Sequence, residues 1–334
     1  MEKHRLSEIL SSLKKKRIAV VGDFFLDEYL HIDPSRNEAS IETGLQAYQV
    51  TGRKVSPGAA GTIAKNLALL GAGSVYAVTI IGDDGRGFEL TRELGKLGIK
   101  TKMQIVAPDR VTPTYTKPMF FSDPPSELNR FDLKNFTPTP EALSAAVIAH
   151  IDALLPALDA IILMDQVPEA NCGVITESVC EALIGVAKNN PGLLMFADSR
   201  CQIGKFTHMT IKGNEHEIIK AASDNPYSGP EALRASLASY SCKRGKPVYV
   251  TLGENGAWVA ENGHITEIEP ISISGPIDIC GAGDAFTAGT VSALCCGAGL
   301  AEAGAVGNLL AALCIRQIGT TGHVTNKQLL DGLD

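Results

Sequence analysis

Apolar positions recur along this chain with two distinct periods. Leu6, Ile9, Leu10 and Leu13 have the spacing of one helical face. Arg17 to Gly22 (RIAVVG) is a short continuous apolar run, the pattern of a buried strand. Ala59 to Leu70 reads as a small-residue helix bounded by Gly58 and Gly71. Val75 to Gly82 is the next strand, and Gly85 to Leu97 the next helix, ended near Gly98. From about residue 139 strands and helices alternate. The pattern predicts helices near 140–155 and 172–189, strands at Ala160–Met164, Leu193–Ala197 and Val248–Leu252, a hairpin around Asn262-Gly263, and helices near 284–297 and 301–316. Such alternation implies a mostly parallel sheet covered by helices.

Two segments break the alternation. Residues 31–56 and 110–135 hold short, partly polar strand patterns, Thr112–Phe121 and Glu127–Asp132 among them, with Pro124-Pro125 between these two. They predict a small β-sheet over the ligand edge of the main sheet, as a lid or as a surface for pairing with a second copy. No linker or internal repeat divides the chain, so residues 1–334 are expected to form one domain.

Composition narrows the function. With 30 basic and 37 acidic residues the net charge is −7, which argues against a nucleic-acid binder built on phosphate neutralisation. Eight cysteines are scattered with no CxxC pair, as reduced cytosolic thiols would be. Lys14 to Arg17 follow the first apolar stripe instead of preceding it, unlike a signal peptide, and no apolar run approaches a membrane span. A cytoplasmic enzyme working on a small molecule is expected, with neither nucleic acid nor membrane as partner.

Residues 278–289 (DICGAGDAFTAG) carry the strongest chemical signal. A glycine turn leads into a helix-compatible run with Asp284 at the junction. A helix N-terminus suits an anion, because its N–H groups lack partners and its dipole is positive there. A carboxylate at that place repels phosphate, yet it suits a base that removes a proton from an attacking hydroxyl. Its other reading is a helix N-cap. Asn214 and Glu217 form an N-x-x-E spacing that reads either as a capping box or as a pair ordering the water shell of magnesium. Thr251 to Gly256 (TLGENG) ends a strand, and Asp27 with the turn at Gly58–Gly61 lies at the opposite ligand edge. A Walker A loop, a GxGxxG turn and a GxSxG elbow are all missing, which lowers the case for the chemistries they serve.

In this order the segments resemble the PfkB (ribokinase-like) carbohydrate kinase family nearly end to end. The signature D-x-x-G-A-G-D-x-F stands at Asp278–Phe286, N-x-x-E at Asn214–Glu217, and G-[EQ]-x-G at Gly253–Gly256. The resemblance implies a three-layer α/β sandwich with a mostly parallel central sheet and a β-sheet lid. It implies transfer of the γ-phosphoryl group of ATP to a sugar or sugar-phosphate hydroxyl. Asp284 would be the catalytic base, and the N–H groups of Gly281, Ala282 and Gly283 would hold the transferred charge. Asn214 and Glu217 would position Mg2+ through water, Thr251, Gly253 and Gly256 would flank the nucleotide, and Asn308 would face adenine or ribose. Asp278 and Gly319 match positions around a monovalent cation such as K+, and the lid matches a homodimer contact.

Within the family the chain looks most like the RfaE-like heptose-phosphate kinases, on Gly22–Tyr29 (GDFFLDEY), Ser35-Arg36, Thr114–Lys117 and Asn129–Asp132. Lys117 and Arg130 would then hold a sugar phosphate; otherwise they are solvated lid charges. The acceptor turn departs from the family pattern. Its second glycine is Ala59 and its asparagine is Thr62, beside Asp27 and Gly58, and Met164–Glu169 (MDQVPE) replaces an S-D-Y-x-K-G run. A kinase for a nucleoside or small polyol, and a silent sugar or nucleotide sensor, are the other readings.

Overall fold

The computed structural model describes residues 1–120, 126–223 and 229–333. The Pro124-Pro125 break and residue Phe121 lie outside the described residues. Helix α1 (Lys3–Leu13) leads into β1 (Arg17–Gly22) and β2 (Phe24–Ile32). A short hairpin, β3 (Glu38–Ala39) and β4 (Gln46–Ala47), precedes β5 (Val50–Ala59), α2 (Ala60–Leu70), β6 (Ser74–Gly82), α3 (Gly85–Lys96) and β7 (Gln104–Ala107). Next come β8 (Thr114–Phe120), β9 (Ser126–Glu127), β10 (Phe131–Leu133), α4 (Glu141–Leu154), β11 (Ala160–Asp165), α5 (Glu177–Asn189), β12 (Leu194–Ser199) and β13 (Thr210–Asn214). The chain continues through α6 (Glu215–Ala222), α7 (Pro230–Arg244), β14 (Val248–Thr251), β15 (Ala257–Glu261), β16 (His264–Ile268), α8 (Ala282–Cys295), α9 (Leu300–Cys314) and α10 (Asn326–Asp331).

Among the described residues nine strands form the main sheet, in the order β16-β15-β14-β13-β12-β11-β1-β6-β7. It is parallel from β14 to β7, and the β15–β16 hairpin adds two antiparallel strands. Both faces are covered, which is why its strands read as unbroken apolar runs. Ile18 and Val20 of β1 point into a core shared with α1, α2, α8, α9 and α10, while Ala19 and Val21 point into a second core under α4, α5, α6 and α7. The predicted α1 face is fully used: Leu6, Ile9, Leu10 and Leu13 are all buried, each contributing about 1.5–3 kcal/mol.

A second sheet, β10-β8-β2-β5 with β9 on β8, forms the lid. It begins earlier than the sequence suggests. β2 starts at Phe24, separated from β1 by Asp23 alone, and runs antiparallel to β5 and parallel to β8. Asp23 is buried, and its carboxylate accepts N–H bonds from Gln166 (2.9 Å), Val167 (3.1 Å) and Val174 (2.7 Å). On the lid's far face Arg53 pairs with Glu28 at 2.5 Å and, with both terminal nitrogens at 2.6 Å, with Glu89 of α3. This bidentate geometry ties lid to body.

Several boundaries differ from the sequence reading. α5 starts at Glu177, five residues after the expected 172, because Thr176 caps it by accepting the Val179 N–H. α8 starts at Ala282, so Asp284 lies inside its first turn. β7, α7 and α10 had no clear periodic signal and are additional elements.

Candidate active site

The C-terminal edge of the parallel strands faces the lid, and the groups singled out from the sequence fall on either side of that cleft. Gly281 is the N-cap of α8 and has φ 80, a conformation a side chain resists. The Ala282 N–H donates to the Ile279 carbonyl at 3.2 Å. Of the expected N–H groups, those of Gly281 and Gly283 are therefore left for an anion at this terminus, together with that of Asp284. This narrows the expected set, in which Ala282 stood beside them.

Asp284 is partly exposed to the cleft but densely surrounded. Burial is the main cause that pushes its carboxyl well above the usual carboxylate range, and the charge of Asp198 adds to it. Lys212 works in the opposite direction. Lys212 is buried on β13, with Nζ 2.9 Å from Asp198 Oδ2 on β12. Thr287 of α8 donates to the same oxygen at 2.9 Å. A Cβ on Gly283 would stand 2.9 Å from the Lys212 ammonium, so glycine there lets this cation lie against the first turn of α8. Burial disfavours the ammonium, but Asp198, Glu217 and Asp284 outweigh it and hold the Lys212 pKa above its ordinary value. Sequence reasoning missed the Asp198–Lys212 pair. Its only signal was one charged residue inside each of two buried strands.

On the other side of Lys212, Asn214 caps α6. Its Oδ1 accepts the Glu217 N–H at 2.9 Å, and Glu217 Oε2 accepts the Asn214 N–H at 2.8 Å. The N-x-x-E segment is thus a true capping box. It leaves Glu217 Oε1 outside the box, an oxygen that can face a metal or accept from its bound water. That donor set is too small to cage magnesium directly, and it suits an ion that keeps most of its water. Asn214 pairs with Thr251 across β13 and β14, which brings the strand-end turn alongside. Gly253 and Gly256 have φ 59 and 80, and a Cβ on Gly256 would strike the Ile268 carbonyl at 2.4 Å. Asn308 of α9 donates to the Glu269 carbonyl at 3.0 Å, so its amide also pins the loop after β16. Asp278 accepts N–H bonds from Cys280 (3.0 Å) and Gly319 (3.1 Å), joining the two positions suggested for a monovalent cation.

The lid supplies the opposite wall. Asp27 is buried and accepts a hydrogen bond from the Thr321 hydroxyl. Burial raises its pKa, while Thr321, Lys117, Lys65 and Arg130 oppose the rise. A Cβ on Gly58 would stand 2.5 Å from Asp27 Oδ1, so this glycine is sterically required. Thr62 is fully buried in the first turn of α2, and its methyl group lies 3.4 Å from where a Gly281 Cβ would be. The turn at Gly58–Thr62 and the turn before Asp284 therefore pack together. Ala59, between them and Asp27, has φ 51 and ψ −119. Holding a non-glycine residue in such a region costs about 1–3 kcal/mol.

The two lid cations differ. Lys117 is 8% exposed, with Nζ 3.2 Å from Cys280 Sγ and 5.3 Å from the Tyr29 ring centre. It is not a solvated lid charge. Arg130 is half-exposed, pairs with Asp132 at 2.6 Å and stacks on Tyr115 at 4.5 Å.

Asp165, at the end of β11, is buried beside Asp23 and accepts from Ser199 Oγ at 2.6 Å. Burial, then the Asp23 charge, push its pKa up to about 7. A carboxyl raised on folding contributes its stability in full below its unfolded pKa, 3.8, and loses it progressively as pH rises from there through about 7. Asp165→Asn keeps an acceptor for Ser199 and removes the titration. It is expected to stabilise the protein by roughly 2–4 kcal/mol at pH 8 and by much less at pH 5, read from denaturant midpoints at both pH values.

Comparison with known proteins places this geometry. A family model described as pfkB family carbohydrate kinase matches residues 15–327. The chain is similar to the bifunctional protein HldE of Paramagnetospirillum magneticum, at 27% identity over 317 residues, covering 94% of this chain and 63% of that protein. The chain thus spans less than two thirds of that relative. Among solved structures it superposes on phosphofructokinase-2 from Escherichia coli, in complex with substrates and products, with a TM-score of 0.73 at 16% identity, covering 95% of this chain and 97% of the other. Arabidopsis thaliana ribokinase, complexed with ribose and ATP, gives 0.68 at 18%, covering 96% and 99%. The fold is ribokinase-like. Among the described residues no helix is long and apolar enough to cross a membrane.

Proposed function

We propose that this chain, which belongs to the pfkB family of carbohydrate kinases, moves the γ-phosphoryl group of ATP onto a hydroxyl of a phosphorylated sugar, with Asp284 as the base. As a family member it is a phosphotransferase acting on a sugar hydroxyl. The observation that carries the finer reading is the buried Lys117 ammonium, held beside Cys280 one residue before the Gly281 turn and close enough to Asp27 to act on its titration. Among the described residues this buried cation has a thiol as its hydrogen-bond partner, which is costly, and an acceptor phosphate would compensate it.

In this reading Asp27 accepts hydrogen bonds from the acceptor's hydroxyls, across the turn Gly58–Ala59 and Thr62. Asp284 takes the proton of the attacking hydroxyl. Its raised pKa makes it a stronger base than an exposed carboxylate. The Gly281 and Gly283 N–H groups and the Lys212 ammonium receive the charge that builds on the transferred group. Thr251, Gly253, Gly256 and Asn308 border the ATP side, and Glu217 with Asn214 would hold magnesium through its water shell. Bound there, that ion supplies charge neutralisation at the phosphates. Asp278 and the Gly319 loop would border a K+ behind the anion site. Exposed Ile41, Leu45 and Tyr48 on the lid suit contact with a second copy.

The test is a panel of paired sugars and sugar phosphates with ATP and magnesium, read as ADP release. Phosphorylated members are expected to be preferred. Lys117→Met should raise their KM by about 10–100-fold, the loss of one charge-assisted contact, with less effect on unphosphorylated members. Arg130→Ala should act in the same direction but more weakly, because its guanidinium is half-exposed and already paired. Equal effects on both members of each pair would return the reading to a neutral sugar, nucleoside or polyol. Tight sugar binding with no ADP release from any member would favour a sensor.

A further inference from the structure

Ala59 sits between Gly58, which crowds the Asp27 carboxylate, and Ala60, the first residue of α2. The non-glycine residues with positive φ are Ala59, Asn171, His208 and Asn262 among the described residues. Asparagine and histidine tolerate that region comparatively well; alanine does not. Moreover, the Ala59 pair of φ 51 and ψ −119 lies away from the ordinary left-handed basin. Glycine would make the same turn without strain. The methyl group is therefore a feature the turn itself does not need.

The methyl has a definite place. It packs, with Tyr115, against the small apolar cluster of Phe25, Val167 and Cys172, and it also borders the main core that α2 covers. Phe25, Val167 and Cys172 are buried, while Ala59 and Tyr115 keep part of their surface. Those two are the members of the cluster that a bound molecule would reach. Tyr115 is the register partner of Asp27 across β2 and β8. Its ring packs on Phe25 at 4.7 Å and carries the Arg130 guanidinium at 4.5 Å. The wall beside Asp27 thus runs from a cation through an aromatic face to a methyl group.

Resting on the assignment of this cleft to the acceptor, we propose that Ala59 is a specificity-determining residue. It selects acceptors that lay a face bearing only C–H groups on Tyr115 and Ala59, while their hydroxyls turn toward Asp27. An epimer or branched sugar with a hydroxyl or hydroxymethyl group directed at that wall meets a methyl that fills the space and accepts no hydrogen bond. The class of substrate is a sugar phosphate with one unsubstituted face, as in a deoxy sugar or one whose hydroxyls lie on the other side. A single methyl of this kind discriminates by about 10–200-fold.

The test is Ala59→Gly. Relief of the backbone strain is expected to raise Tm by about 2 °C, the added freedom of the unfolded chain offsetting part of the gain. Epimeric pairs of sugar phosphates, deoxy members included, are then compared between wild type and variant by ADP release and, independently of turnover, by ligand-induced shift of Tm. Discrimination within pairs should fall by about tenfold or more in both measurements. Unchanged discrimination would overturn the inference, whether or not Tm rose. So would a lower Tm, since it would make the methyl a packing group the fold requires. The two readings fail separately. If pairs are discriminated through Ala59 but Asp284→Asn retains normal turnover, the catalytic assignment falls and the selection stands. If Asp284→Asn is inert and Ala59→Gly discriminates like wild type, the selection alone falls.

Discussion

Asp284→Asn is expected to lower kcat by about 10²–10⁴-fold, the usual contribution of a positioned general base. Asparagine is close in shape, and the carboxylate it replaces has no hydrogen bond among the described residues that the fold would lose. Far-UV circular dichroism and the affinity for ATP should stay near wild type. Thermal stability should stay level or rise, because a carboxyl whose pKa is raised by burial is one the fold does not favour in its charged form. The pH profile supplies a further check. With the folded pKa held above the ordinary value, wild-type kcat/KM should fall as pH drops through that raised pKa and the base gains its proton. The residual activity of the variant should lack that acid limb. Near-normal turnover with an unchanged acid limb would remove Asp284 from the role.

The second large effect belongs to Lys212. Lys212→Met leaves Asp198 buried without its paired cation, and removal of one partner from a buried pair costs about 4 kcal/mol. Urea midpoints should show the loss. Turnover should also fall, by about 10²–10³-fold, if the ammonium against the first turn of α8 receives phosphoryl charge. Folding and catalysis are separated by Lys212→Met with Asp198→Asn. The amide still accepts from Thr287 but no longer strands a charge, so most of the stability should return while activity does not. Recovery of both would make the pair purely structural.

How much of this was readable in the chain varies with the range of the interaction. Leu6, Ile9, Leu10 and Leu13 announced α1 because one helix face meets one core. The Asp278–Phe286 run was legible because turn, helix start and carboxylate lie within nine consecutive residues. The lid strand β2 was not. Its burial is nearly continuous from Phe24 to Tyr29, and the polar Asp27 and Glu28 inside it are buried by partners far along the chain, Thr321, Arg53 and Thr116. The Asp198–Lys212 pair was illegible for the same reason, since only the pairing of β12 with β13 brings the two side chains together. The capping box shows how one local motif can carry two readings of which the backbone geometry bears out the first. Asn214 and Glu217 do cap α6, and that bonding leaves a free oxygen available for other work.

The fastening of Asp23 has a mechanical consequence. One residue joins the central strand β1 to the lid strand β2, and its carboxylate is riveted by three N–H groups of the 166–174 loop. A lid rooted in this way is a cantilever, not a door on a pin. Arg53, opposite Leu30, holds the lid a second time through Glu89 of α3, so bending would concentrate beyond it, at Ile32 and the β3–β4 hairpin, and Asp27, four residues from the root, would be displaced far less. The side chain proposed to meet the acceptor's hydroxyls would keep its aim if the tip moved. Weakening the root would therefore blur the position of Asp27 without altering a single contact at the tip.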